Sequence, residues 1–103
     1  MKEVLSEIER WQADGEDVVV ATVVANRRTA PRPVGSSLAI SRSGKLCGSV
    51  SGGCVEGDVF HQAQEVFASG EPKLLSYGIS DEEAWDVGLP CGGEIDVFVE
   101  RLP

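Results

Sequence analysis

Val18-Val19-Val20-Ala21-Thr22-Val23-Val24-Ala25 is an unbroken apolar and β-branched run. A half-exposed strand would alternate, so a continuous run of this kind fits a central strand buried on both faces. It is far short of the roughly 18 apolar residues a membrane span requires. Whatever else the chain forms has to cover this strand.

The neighbouring segments supply candidates. Residues 1–13 predict an amphipathic helix, with Val4, Leu5, Ile8 and Trp11 at helical spacing and Glu3, Glu7 and Arg10 facing away. Asp14-Gly15 is its stop. A helix this short persists only when packed, so it is expected to lie across the sheet. Ser37–Ile40 and Lys45–Gly48 predict a hairpin around the turn-rich Ser41-Arg42-Ser43-Gly44. Cys47, in strand register beside Leu46, reads as a small buried hydrophobe.

Residues 54–68 predict a second helix, its stripe made by Val55, Val59, Ala63, Val66 and Phe67, ended by Ser69-Gly70 and Pro72. His61, the only histidine, falls on its polar face and reads as solvated. Lys73–Tyr77 is a short strand. The stretch from Gly78 to Leu89 is a loop or broken helical turn in which Trp85 reads as a core or interface residue. Glu94–Leu102 alternates Ile95, Val97 and Val99 with acids, which predicts a half-buried, edge-side strand. The expected fold is a single α+β domain, with a mixed sheet of about five strands and two main flanking helices.

Bulk properties exclude several classes. At 103 residues the chain can bury a core without metal or disulfides. Three cysteines, with no Cys-x-x-Cys pair, fit free thiols in a reducing compartment. With no basic-then-apolar leader at the N-terminus, the default location is the cytoplasm. A net charge of −8 argues against nucleic acid as partner. The charge is uneven, however. From Val18 to Val55 there is no acid, while Arg27, Arg28, Arg32, Arg42 and Lys45 all fall in that stretch. This predicts a local positive field for a small anion within an acidic shell.

Two turns carry the candidate chemistry. Gly48-Ser49-Val50-Ser51-Gly52-Gly53-Cys54-Val55-Glu56 leads a strand through paired glycines and a cysteine into a helix. Gly88-Leu89-Pro90-Cys91-Gly92-Gly93-Glu94 leads a cysteine and paired glycines into a strand. Glycine lets backbone N–H groups approach a ligand, and a helix start favours an anion. Ser49 and Ser51 add hydroxyl donors. The pattern is not a P-loop, because Gly44-Lys45 is followed by Leu46, and it lacks dinucleotide-loop spacing. Cys54 in a first helical turn has its thiolate favoured by the dipole and opposed by Glu56. Cys54 and Cys91 can each serve as nucleophile, sulfur acceptor or soft-metal ligand. Pro31 and Pro33 stiffen the segment bearing Arg32, a candidate anion ligand. The scattered cysteines and distant His61 do not match zinc spacings. The working expectation is that the two turns meet and form one pocket.

Arg32-x-x-Gly35, then Gly48-x-x-Ser51-Gly52-Gly53-Cys54-Val55-Glu56, then Gly88-Leu89-x-Cys91-Gly92-Gly93 closely resemble the N-terminal domain of the XdhC/CoxI family, in the same order and over nearly the whole chain. These are accessory proteins of molybdenum hydroxylases such as xanthine dehydrogenase and carbon monoxide dehydrogenase. The resemblance implies binding of molybdenum cofactor, with preference for its sulfurated form, and its transfer to a client enzyme. It implies a pocket of Gly52, Gly53 and Cys54 with Cys91, Gly92 and Gly93, anion contacts from Arg32 and Ser51, and a loop shaped by Gly35. Cys54 or Cys91 would touch the molybdenum or its terminal sulfur. Implied partners are the hydroxylase client and a cysteine desulfurase. Family members continue into a Rossmann-like C-terminal domain. Residues 1–103 are expected to be the N-terminal domain without it, and a separate Rossmann-type subunit is a further candidate partner. A homodimer through the C-terminal strand is a looser expectation.

Two rival functions stay open. A thiol-dependent sulfurtransferase would carry a persulfide on Cys54 or Cys91. A non-catalytic interaction domain would tolerate serine at both. A binding chaperone, not an enzyme, is the favoured reading.

Overall fold

The computed structural model describes residues 2–27, 34–50, 56–77 and 94–102. These form α1 (Lys2–Ala13), β1 (Val18–Arg27), β2 (Ser37–Ser41), β3 (Leu46–Gly48), α2 (Glu56–Ser69), β4 (Lys73–Tyr77) and β5 (Glu94–Arg101). The five strands make one sheet in the order β3-β2-β1-β5-β4.

The apolar run takes the centre, as its composition requires. Val18 and Val20 point to one face and pack with Val4, Ile8 and Trp11 of α1. Val19, Ala21 and Val23 point to the other and pack with Val59, Ala63, Val66 and Phe67 of α2. The result is three layers with the sheet between two helices, so β1 has no solvent face at these positions. Burying each such aliphatic side chain contributes about 1.5–3 kcal/mol relative to leaving it exposed. Leu5 departs from the predicted stripe. It is 47% exposed because α1 turns only Val4, Ile8 and Trp11 onto the sheet.

The α+β class, the two helices and the five strands are as the sequence predicts. The pairing differs from the expected mixed sheet: every described ladder is antiparallel. The reason is β5. The crossover through α2 carries the chain from edge strand β3 to the opposite edge strand β4. β5 then fills the space between β4 and β1, running against both.

That placement also corrects the reading of the last strand. β5 is internal, hydrogen-bonded to β1 and β4, and the edges are β3 and β4. Both its edges are taken, so a homodimer built by pairing this strand is closed off. The alternation misleads because α1 packs chiefly on β1, β2 and β3. On the β5–β4 half of that face Glu100 is exposed and Leu74 is 62% exposed. An internal strand with one open face alternates just as an edge strand does.

The ends are well defined. Gly15 N–H donates to Gln12 O at 3.0 Å and Glu16 N–H to Trp11 O at 2.9 Å, the paired bonds of a Schellman stop for α1. Val24 is an extra residue in β1: Val23 pairs with Val97 and Ala25 with Asp96. Val24, at this bulge, is 48% exposed.

Candidate functional site

Five strand termini lie toward one end of the sheet. β1, β3 and β4 finish there at Arg27, Gly48 and Tyr77, and β2 and β5 begin there at Ser37 and Glu94. The register requires it: Arg27 faces Glu94, Thr22 faces Ser37, Leu38 faces Gly48 and Tyr77 faces Ile95. The segments 28–33, 51–55 and 78–93 are therefore each flanked by described residues of this one end. Arg32, Ser51, Gly52, Gly53, Cys54, Cys91, Gly92 and Gly93 fall in those segments, outside the described residues, as does Trp85.

Gly35 is described. Its φ is +96°, and nothing lies within 4 Å of where a Cβ would sit, so conformation and not space selects glycine here. Its N–H donates to Val23 O at 2.8 Å and its carbonyl accepts from Ser37 Oγ at 3.3 Å. These bonds return the chain from residues 28–33 into β2.

The junction between β3 and α2 is fixed by an internal carboxylate. Glu56 Oε2 accepts from Ser49 Oγ at 2.7 Å and from Val50 N–H at 3.0 Å. Val50 is wholly buried, and Ser49 N–H donates to Ser37 O at 3.0 Å. The expectation that the Ser49 hydroxyl serves a bound anion is corrected: it serves Glu56. Two residues further on, Asp58 Oδ2 accepts from Tyr77 Oη at 2.7 Å, tying the first turn of α2 to the end of β4. Burial, reinforced by the Asp58 carboxylate, pushes the Tyr77 phenol well above its usual value.

From sequence, Glu56 reads only as an opponent of the Cys54 thiolate, and Asp58 and Tyr77 have no role. A signal for Glu56 does exist there. An acid in a first helical turn can reach back to a preceding N–H, the logic of a capping box.

The positive segment is divided by the fold. Arg42 and Lys45 lie at the other end of the sheet, in the β2–β3 turn region. Arg42 Nη1 meets Asp17 Oδ2 at 3.1 Å, Arg101 Nη2 meets the same oxygen at 3.0 Å, and Lys45 Nζ meets Glu16 Oε2 at 3.3 Å. The hydrogen bond from Arg101, then that from Arg42, holds the Asp17 carboxyl below its ordinary range. Acids preceding β1 thus pair with bases that the sequence places well after it, and Arg42 and Lys45 are engaged in these pairs at the end of the sheet opposite Gly48 and Tyr77. A concavity of about 390 Å³ also lies at that far end, lined by Gln12, Gly15, Glu16, Asp17, Val18 and Leu102. None of the predicted site residues lines it.

His61 is exposed on α2, as its sequence reading has it, whereas Cys47 packs beside the α1-side core but is only half-buried, because β3 is an edge strand. Among the described residues no group of three or more His, Cys, Asp or Glu could hold a metal ion, and no helix is long and apolar enough to cross a membrane.

The described residues define a small α+β domain whose glycine- and cysteine-bearing segments are flanked by residues of one sheet end. Residues 11–78 match the model of the XdhC and CoxI family. The chain is 38% identical over 89 residues to the molybdenum cofactor insertion chaperone PaoD of Escherichia coli (strain K12), covering 85% of this chain and 27% of that protein. It is 35% identical over 91 residues to a probable xanthine dehydrogenase subunit of Bacillus subtilis (strain 168), covering 86% and 28%. The crystal structure of a xanthine dehydrogenase from Bacillus halodurans superposes with a TM-score of 0.80 at 27% identity, over 98% of this chain and 31% of that one. The chain belongs to the XdhC and CoxI family. It spans less than a third of the length of these relatives.

Proposed function

We propose that this domain binds molybdenum cofactor as cargo and assists its sulfuration and insertion into a molybdenum hydroxylase. The observation that carries the reading is topological. The segments bearing Arg32, Cys54 and Cys91 are all flanked by residues of one sheet end. The names of the relatives, a cofactor insertion chaperone and a xanthine dehydrogenase subunit, supply the chemistry. In this reading Gly52, Gly53, Gly92 and Gly93 offer backbone N–H groups, Arg32 and Ser51 meet the cofactor phosphate, and Cys54 or Cys91 meets the metal or its sulfur. Gly35 shapes the loop that carries Arg32. The partners are a hydroxylase client, a cysteine desulfurase as sulfur source, and the polypeptide corresponding to the remaining length of the relatives, a Rossmann-type unit.

The test is an anaerobic titration of the 103-residue chain with molybdenum cofactor. Bound molybdenum is followed for wild type, Cys54→Ser and Cys91→Ser, with circular dichroism to verify folding. Saturable, stoichiometric binding that is lost in at least one variant is the expected result. A folded wild-type chain that takes up no molybdenum overturns the reading. Binding that survives both substitutions leaves the thiols without a role. Catalytic turnover of a cyanolysable sulfur would move the protein to the sulfurtransferases.

A further inference from the structure

Glu56 closes the Ser-Gly-Gly-Cys-Val-Glu motif, yet its charge works against a thiolate at Cys54. The geometry gives that carboxylate a different use. On the side leading into 51–55 the chain is held to the core: Val50 is wholly buried and Ser49 N–H is bonded to Ser37 O at 3.0 Å. On the side leaving it, α2 begins at Glu56. One oxygen of Glu56 bridges the gap, accepting from both Ser49 Oγ at 2.7 Å and Val50 N–H at 3.0 Å. The two ends of the segment are thus joined through two hydrogen bonds to one acceptor oxygen.

We propose that Glu56 is a positioning residue whose carboxylate, through Ser49 and Val50, clamps the two ends of segment 51–55 and so sets the reach of Cys54. This rests on the reading in which Cys54 contacts the cargo. The clamp needs an acceptor oxygen and not the charge itself, which separates it from an electrostatic role. Glutamine keeps an acceptor at the same reach, and alanine keeps none.

The test uses a chain with Cys47→Ser and Cys91→Ser, so that Cys54 is the one thiol. Its alkylation by iodoacetamide is followed between about pH 6 and pH 10, which spans the ordinary thiol range. The midpoint reports the charge near the thiol, and the limiting rate at high pH reports how the segment is held. Glu56→Ala, which removes both hydrogen bonds, raises the limiting rate about tenfold, their combined loss expressed as a ratio. Glu56→Gln lowers the midpoint but stays within about threefold of the parent limiting rate, because its amide oxygen still accepts. Asp17→Asn, which loosens the opposite end of the sheet, leaves the limiting rate at the parent value.

Equal limiting rates in Glu56→Ala and the parent overturn the clamp. So does an equal rise in Asp17→Asn, which would be general loosening, or a Glu56→Gln chain as fast as the alanine variant. If Glu56→Ala does not fold, Ser49→Ala removes one donor only, and a parent-like rate there overturns the proposal equally. Cofactor affinity, measured with all three cysteines present, falls in Glu56→Ala and is kept in Glu56→Gln and Asp17→Asn. A wild-type chain that binds no molybdenum cofactor while the alkylation order holds removes the functional reading and leaves the clamp. The converse removes the clamp alone.

Discussion

Gly48 shows how much one position can decide. Its φ is +96°, and a Cβ there would stand 2.2 Å from the Ser37 carbonyl oxygen and 2.9 Å from Val4 Cγ2. The nearer contact is backbone and cannot swing aside. A left-handed backbone disfavours any side chain by roughly 1–2 kcal/mol, and overpacking adds about 1–3 kcal/mol. Gly48→Ala is therefore expected to lower stability by about 2–5 kcal/mol, read as a fall in the urea midpoint at unchanged slope. Gly35→Ala, with similar φ but open space, should cost only the conformational part, about 1–2 kcal/mol. Equal losses at the two positions would show that the clash at Gly48 is relieved by movement of β2. The sequence marks both residues as glycines. It holds nothing that separates a glycine wedged between two elements from one standing in open space.

At the scale of elements, the far end of the sheet is held by ion pairs and the Gly48–Tyr77 end by partly buried hydrogen bonds to Glu56 and Asp58. Asp17, just before β1, takes Arg42 from the β2–β3 turn and Arg101 from the end of β5. Its folded carboxyl titrates below the ordinary 3.8, so the folded state gives up that proton at lower pH than the unfolded chain does. The stabilisation is then fully present above about pH 3.8 and is lost as pH falls below it through the folded value. Thermal melts from neutral pH into this range should fall more steeply for wild type than for Asp17→Asn, with the two curves converging in acid. Parallel curves would mean that these exposed pairs contribute nothing measurable, as many surface pairs do. Salt should narrow the neutral-pH gap for the same reason.

Across the whole molecule, the sheet separates two cores with no residue in common. Val4, Ile8, Trp11, Val18, Val20 and Ala39 form one, and the larger cluster around α2, including Ile95, forms the other. Sites without shared neighbours add, to within about 0.3–0.5 kcal/mol. Ile8→Val and Ile95→Val, each costing about 0.5–1.5 kcal/mol, should therefore sum in the double variant when followed by urea unfolding. A coupling well beyond that margin would show strain passing through β1 from one layer to the other.

What is local or periodic was legible in the order of residues. The Val18–Ala25 run required a strand covered on two sides, and helical spacing placed Ile8, Trp11, Val59, Ala63 and Val66 on buried faces. The glycine stops and the hairpin followed from local backbone chemistry, and the Cys/Gly-Gly motifs carried the family. What depends on long-range pairing emerged only in the folded chain. Folding made β5 internal, because the crossover through α2 leaves a space beside β1 that only a strand arriving later can fill. It sent Arg42 and Lys45 to the carboxylates of Asp17 and Glu16, at the opposite end of the sheet from Gly48, where the first cysteine motif begins. It also turned Glu56 back onto Ser49 and Val50. Periodicity reports which face a residue takes. Which partner meets that face is settled only when strand order and direction are fixed, and those are properties of the assembled sheet.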